Sequence, residues 1–241
     1  MTYQERVYRK LIKAEGLEKF EVVEKETDLL ILAEKSLKRE AREAVIRYRR
    51  DLETYIKTDP LFATTFTPHK AKGGAPRIVR EMIASSKTVN VGPMAAVAGA
   101  IAEFVGKDLL RHSKEVIIEN GGDIFMRLRK KRKVGIYAGT SPFSEKLAIE
   151  IEPEETPISI CTSAGTVGHS FSFGRADAVI VISTSASLAD AAATAIGNRV
   201  KTAKDIDKAL NFANKIKGLR GVLIIKDDEL GAWGSLKIVS M

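Results

Sequence analysis

From Phe20 to Glu34 the chain alternates and is rich in Val, Ile and Leu. Two apolar halves, Glu21-Val22-Val23 and Leu29-Leu30-Ile31-Leu32, flank Thr27-Asp28, which predicts a β-hairpin turning there. Ser36 follows, and then Ala44, Tyr48, Leu52, Tyr55 and Ile56 recur near helical spacing against a charged opposite face. This predicts a helix capped by Ser36 and ending before Pro60. Residues 60–76, with His69 and the pair Gly73-Gly74, read as a long loop. A short helix is expected over Arg77–Ser85. Gly92–Leu110 is small and apolar, with Met94, Val97, Ala98, Ile101 and Val105 on one face. It predicts a buried helix whose Gly and Ala residues let other backbone approach.

Strands are then expected at Glu115–Asn120, Ile124–Arg127, Val134–Ala138, Leu147–Ile151, Ile158–Thr162 and Ala178–Ser183. Ser187 should open a helix reaching Val200, and a further helix should run from Asp205 to Lys217 and end at Gly218. Val222–Ile225 and Leu236–Val239 would close the chain as a hairpin around Asp227-Asp228 and Gly231. Helices and strands come in clumps, which predicts an α+β fold with a largely antiparallel sheet. With no repeat and no low-complexity linker, residues 1–241 are treated as a single domain.

At 241 residues with 44% hydrophobic and 29% charged composition, the chain can bury a full core and is not of a disordered type. No apolar run reaches the roughly 20 residues that cross a bilayer, and the first ten residues lack the apolar stretch of a signal peptide. A cytoplasmic protein with no membrane contact is expected. The lone cysteine, Cys161, excludes an internal disulfide and a cysteine-based zinc site, and its strand-like setting reads as core. The net charge of +8 would suit nucleic acid or phosphorylated small molecules. The densest basic run, Arg127 to Lys133, reads as a solvated hairpin turn and has no aromatic platform beside it. Nucleic acid is therefore the least favoured partner.

Three segments carry candidate chemistry. Glu119-Asn120-Gly121-Gly122-Asp123 ends a strand; adjacent glycines permit positive φ and close approach of a ligand, or equally a bulge or tight turn with Asn120 and Asp123 as turn formers. Thr162-Ser163-Ala164-Gly165-Thr166-Val167-Gly168-His169 offers amides and hydroxyls suited to phosphate, although it lacks the lysine of a P-loop. His169 is either structural or functional there, while His69 and His112 are expected on the surface or in loops. In Ala189-Asp190-Ala191-Ala192-Ala193-Thr194, Asp190 and Thr194 are four residues apart and share a helix face. A carboxylate and a hydroxyl among alanines suit a hard cation such as Mg²⁺. Helix-dipole placement would account for Asp190 but not for Thr194.

In that order the three segments resemble the ApbE-like superfamily, whose characterised members are FAD:protein FMN transferases, and most closely its small stand-alone branch, uncharacterised protein family 0280. The family pattern is an Asn-x-Gly-Gly-Asp strand end, a Thr-Ser-Gly segment followed by a histidine, and an Ala-Asp-Ala-x-Ala-Thr helix. The resemblance covers roughly the second half of the chain. It implies a T-fold-like, ApbE-type core, Asp190 and Thr194 holding Mg²⁺ against the phosphates of FAD or a related nucleotide, and catalytic roles for Asp190 and His169. Asn120, Gly121, Gly122, Asp123, Thr162, Ser163, Gly165 and His169 would bind the cofactor.

Two departures bear on the reaction. The His-x-x-Asp-Pro pattern of the transferases reads His169-Ser170-Phe171-Ser172-Phe173 here, and Asp177 could replace the lost acid or simply lead a strand. Their Asp-Leu-Gly-Gly-x-x-Lys-Gly segment falls near Asn90–Val97, where the acid is Asn90 and the lysine Ala96. The expected function is a flavin or nucleotide protein that uses Mg²⁺ to bind, and to cleave or transfer, its ligand. The alternative is a non-transferase accessory protein on the same fold, with the sulfur assimilation or homocysteine role associated with relatives. The small-residue helix Met94–Val105 could also form a homodimer face.

Overall fold

The computed structural model describes residues 9, 15–165 and 173–241. Two strands, β1 (Glu18–Glu24) and β2 (Thr27–Ala33), precede three helices, α1 (Lys38–Thr58), α2 (Leu61–Thr64) and α3 (Arg77–Val89). A 3-10 turn at Pro93–Ala96 leads into α4 (Val97–Leu109). Then come β3 (Val116–Asn120), β4 (Asp123–Arg127), β5 (Arg132–Gly135), β6 (Leu147–Ile151), β7 (Ile158–Ser163) and β8 (Ala178–Ser183). Helix α5 (Ala186–Gly197), α6 (Ile206–Ala213), β9 (Leu219–Lys226), β10 (Glu229–Gly234) and β11 (Ile238–Ser240) complete the order.

Two antiparallel sheets result, of order β1-β2-β3-β4-β7-β8-β9-β10 and β11-β6-β5. This is the α+β, antiparallel architecture the clumped pattern predicts. The alternation of side chains along each strand sorts the large sheet into two cores. Leu29, Ile31, Ile118, Phe125, Cys161, Val179, Val181 and Ile224 face the helices. Leu30, Leu32, Ile117, Met126, Ile160, Ile180 and Leu223 face the small sheet, where Val134, Ile149 and Ile151 meet them. A sheet covered on both faces needs apolar residues at successive positions, and so Leu29-Leu30-Ile31-Leu32 and Ala178–Ser183 are continuously buried.

Several expected boundaries move. The first hairpin turns at Lys25-Glu26, with Lys25 at φ 53°, and Thr27 already pairs with Glu24; the buried Thr27 hydroxyl is held by Arg49 at 2.8 Å, which keeps it in the strand. Helix α1 starts after the buried Leu37 with no side-chain cap, so Ser36 is not its cap. Burial of Val89 extends α3 beyond Ser85, and Asn90 closes it in the left-handed conformation. Ser185, whose Oγ accepts the Leu188 amide, caps α5; Ser187 is instead fully buried. The basic run is not a hairpin turn but the crossover from β4 to β5 in the other sheet. Its cations are engaged locally: Arg132 pairs with Glu115 at 2.9 Å, and Lys131 approaches Glu150 and Glu152 at 3.7 Å each.

The C-terminal hairpin also differs, because β9 pairs with β10 while β11 crosses to β6. Gly231 lies inside β10, where a Cβ would meet Ile206 at 2.4 Å, so it serves packing and not the turn. Among the described residues no single helix is long and apolar enough to cross a membrane; α3 with Pro93–Leu109 passes only as a pair bent by 104°.

Ile149 is at the centre of the small sheet, paired with Val134 and Ile238, and is 1% exposed in the core shared with the large sheet. Ile149→Ala should cost about 2–5 kcal/mol, measured as a drop in the urea midpoint at unchanged slope. An unchanged midpoint would mean that the small sheet contributes little to stability.

Candidate functional site

The β3–β4 hairpin turns through Gly121 (φ 65°) and Gly122 (φ 100°), with Asn120 and Asp123 as its last pair. Two successive positive φ values are the requirement of a type I′ turn, which glycine meets without strain. The tight-turn account of this glycine pair therefore holds, and an exposed Gly121 leaves the turn open to approach. By alternation Asn120 and Asp123 lie on the helix-facing side. Asn120 Nδ2 donates to Ala98 O at 3.0 Å, and Asp123 Oδ1 accepts the Thr162 amide at 3.3 Å.

On α5, Asp190 points at the first turn of α4. Its Oδ2 accepts the Gly99 amide at 2.9 Å, and the Ala98 amide also donates to the carboxylate. The exchange is mutual: from α4, the buried Glu103 Oε2 accepts the Ala186 amide at the start of α5, at 2.7 Å. Each helix thus supplies an acceptor for the unpaired N–H groups opening the other. The contact depends on Gly99, where a Cβ would stand 2.4 Å from Ala186 O and 2.9 Å from Asp190 Cβ.

Burial raises the Asp190 pKa to about 7, against the pull of the Gly99 and Ala98 amides. Burial also holds Asp123 well above the usual carboxylate range, and the negative charge of Asp190 adds to this. Cys161 hydrogen-bonds Asp123; its thiol is pushed up by burial and then by the two carboxylates, which keeps it protonated. Among the described residues no cationic side chain pairs with Asp123 or Asp190. The donor set fits a hard divalent cation. It offers carboxylate and hydroxyl oxygens, spare lone pairs beyond the two amides, and negative charge otherwise offset only by protons. Among the described residues no three His, Cys, Asp or Glu side chains gather as a metal cluster.

The remaining expected residues are placed as follows. Thr194 is half-buried one turn beyond Asp190 on the same continuous helix. Thr162 contributes its amide, while alternation turns its side chain toward the small sheet. Ser163 faces α5, its Oγ 3.6 Å from where a Cβ of Gly197 would be. Gly165 donates to Ala176 O at 2.8 Å, and a Cβ there would meet Gly174 O at 2.3 Å. Near the C-terminus of α5, the Phe173 amide also donates to Asn198. His169 itself lies outside the described residues.

Asp177 accepts the Asp227 amide at 2.6 Å and is the strand-leading residue of the two readings. His69 is not a free surface residue: Nε2 is 2.7 Å from Asp59 Oδ2, fastening loop 65–76 to the end of α1. Asn90 caps α3, so it does not stand in for an acid. Helix α4 packs Gly99 against α5 and Gly106 against Phe125, where a Cβ would be 2.3 Å from the ring. Its Met94, Val97, Ala98 and Ile101 instead line a cavity of about 490 Å³, with Leu52 and Ile56 of α1 and with Asn120. The sequence reading passed over Gly99, Glu103 and Asn120's bond to α4. A lone acid inside the apolar run of α4 was the available signal for Glu103.

In metal-free protein Asp190 has a folded pKa of about 7 against an ordinary 3.8. A raised carboxylate stabilises the fold fully below the unfolded pKa and loses that contribution as pH rises through the folded one. Asp190→Asn should therefore match the parent in melting temperature near pH 4 in chelator and exceed it by several degrees near pH 8. A constant difference across this range would exclude the buried ionisation.

The family model described as "AbpE bacteria" matches residues 9–232. The UPF0280 protein of Methanosarcina acetivorans is 42% identical over 198 residues, 81% of this chain and 78% of that protein. The UPF0280 protein of Methanocaldococcus jannaschii is 40% identical over 221 residues, 89% and 90% respectively. Among solved structures, the apo flavinyl transferase ApbE of Pseudomonas stutzeri superposes with a TM-score of 0.61 over 90% of this chain and 93% of that one, at 14% identity. The ApbE protein of Thermotoga maritima does so at 0.54 over 91% and 97%, at 15% identity. These two establish a common fold. From sequence and fold together, the chain belongs to the UPF0280 family, an ApbE-like branch.

Proposed function

We propose that this protein binds a flavin dinucleotide such as FAD through its phosphates, with Mg²⁺ held by Asp190 and Thr194. The observation that carries this reading is the pair of carboxylates, the buried Asp123 and the half-buried Asp190, with no cationic side chain to offset them among the described residues. A bound divalent cation would neutralise phosphate charge and polarise the P–O bond. The chain's own part is to hold the donors. The Gly99 and Ala98 amides orient Asp190, the Thr162 amide orients Asp123, and the Asn120 bond to Ala98 ties the turn to α4. The apolar cavity beside Asn120 has room for a planar ring system, and the exposed Gly121 leaves backbone free to face the ligand.

A second reading, binding without transfer, draws on the segment before α4. Position 90 is an asparagine whose left-handed backbone closes α3, and Ala96 is fully buried, so the acid and lysine of the transferases have no equivalent there. The two readings share a site and differ in turnover.

Titration calorimetry with FAD should give binding that requires Mg²⁺, is abolished in Asp190→Ala and is weakened about 10–100-fold in Thr194→Val. No heat with or without Mg²⁺ would overturn the proposal. Chromatography of the same mixtures separates the readings: release of FMN and AMP marks cleavage, and intact FAD marks binding alone.

A further inference from the structure

Behind the glycine turn, on the face of the sheet opposite α4, is a group of charges that the proposed site does not use. Glu119 is fully buried, yet it belongs to the strand that ends in Asn120. Its Oε1 accepts the Gly122 amide at 2.9 Å, inside the turn. Its Oε2 receives Arg9 Nε at 2.6 Å. Arg9 comes from far away in sequence and is itself 9% exposed at the side chain. The same guanidinium reaches Asp28 Oδ1 at 3.0 Å, Asp28 O at 2.8 Å and Glu21 Oε1 at 3.3 Å. Alternation places Glu21, Asp28 and Glu119 on one face of β1, β2 and β3, so one arginine fork joins three strands beneath the turn.

We propose that Arg9 is a positioning residue of the candidate site, holding the buried Glu119 carboxylate whose other oxygen fixes the turn that presents Asn120 and Asp123. The inference rests on the reading that Asn120 and Asp123 belong to the ligand site. The physical reason is that a fully buried carboxylate needs a partner of opposite charge. Without one, Glu119 must take a proton or move toward water. Movement would carry the Gly122 amide with it, and Asp123 is the next residue. The planar fork of arginine suits this place, because Nε and the two terminal nitrogens donate from separate, fixed positions to Glu119 and Asp28, whereas an ammonium is a single point charge.

The test uses the full chain with Arg9→Met, Glu119→Gln and the double variant. FAD affinity in Mg²⁺ and backbone amide exchange are measured on each. Arg9→Met should weaken FAD binding about 10-fold or more and speed exchange of the Gly122 amide, while the amides of β8 keep their protection. Glu119→Gln removes the charge but keeps an acceptor for Gly122, so the double variant should recover both readouts to within about threefold of the parent. Arg9→Lys should fall between parent and Arg9→Met. Unchanged Gly122 exchange in Arg9→Met, or a double variant that shows no recovery, overturns the inference, and this includes the case where Arg9→Met and the double variant both fail to fold. Should the parent itself not bind FAD, the proposed function fails, and the Gly122 exchange still decides the role of Arg9.

Discussion

The contact on which the site depends is the crossing of α4 and α5 at Gly99. Two helices can exchange caps only if their first turns overlap closely enough for a side chain on each to reach amides at the start of the other. Gly99 permits that distance, Asp190 uses it in one direction and Glu103 in the other. The same approach places the Asp190 carboxylate over the end of β3–β4, close enough for its charge to act on Asp123. Any residue larger than glycine at position 99 would separate the helices and dissolve the pairing of the two acids. The run of alanines around Asp190 has the same cause, since Ala189, Ala191, Ala192 and Ala193 are buried against neighbouring elements with no room for longer side chains.

The arrangement sets stability against binding capacity. Two carboxylates brought into a low-dielectric setting without a cation disfavour the ionised state. Both Asp190 and Asp123 accordingly hold their protons more tightly than free carboxylates do. Elsewhere the protein supplies buried acids with partners: Glu119 has Arg9, Glu115 has Arg132 and Glu103 has Lys107 at 2.5 Å. The contrast is internal to one molecule: Asp123 is as buried as Glu103, Glu115 and Glu119, and Asp190 is half-buried. Amides and a thiol are what surround Asp123 and Asp190, and these orient the oxygens without cancelling their charge.

How much of this was legible in the sequence follows from the range of the interactions. The α+β class, the strands of the large sheet other than β10 and the helix carrying Asp190 and Thr194 rest on local periodicity, and the structure agrees with them. The Gly121-Gly122 turn was legible too, since positive φ at adjacent positions is a local demand. A serine near a helix start is a strong local signal and points to Ser187 as the α5 cap, yet Ser185 caps it and Ser187 is enclosed. Partner choice in the last hairpin was out of reach, because β11 leaves β9 for a sheet that forms only once Leu147–Ile151 is in place. The bond between Arg9 and Glu119 spans 110 positions, and nothing in a charged N-terminal segment distinguishes one arginine from the next.

The family pattern is best understood through these contacts. Asn120, Asp123 and Asp190 stand far apart in the chain, and each is held by backbone: the Ala98 carbonyl, the Thr162 amide and the Gly99 amide. Backbone partners do not depend on which side chains surround them. Such contacts can be kept on a fold shared at 14% identity with a flavinyl transferase while neighbouring positions change character. Asn90 illustrates the change: where the transferases carry an acid, this chain has a residue whose left-handed backbone closes α3. The acid there could be lost without disturbing the α4–α5 crossing, because Asp190 takes its orientation from the Gly99 and Ala98 amides, seven and six residues beyond Gly92, the nearest glycine of the altered segment.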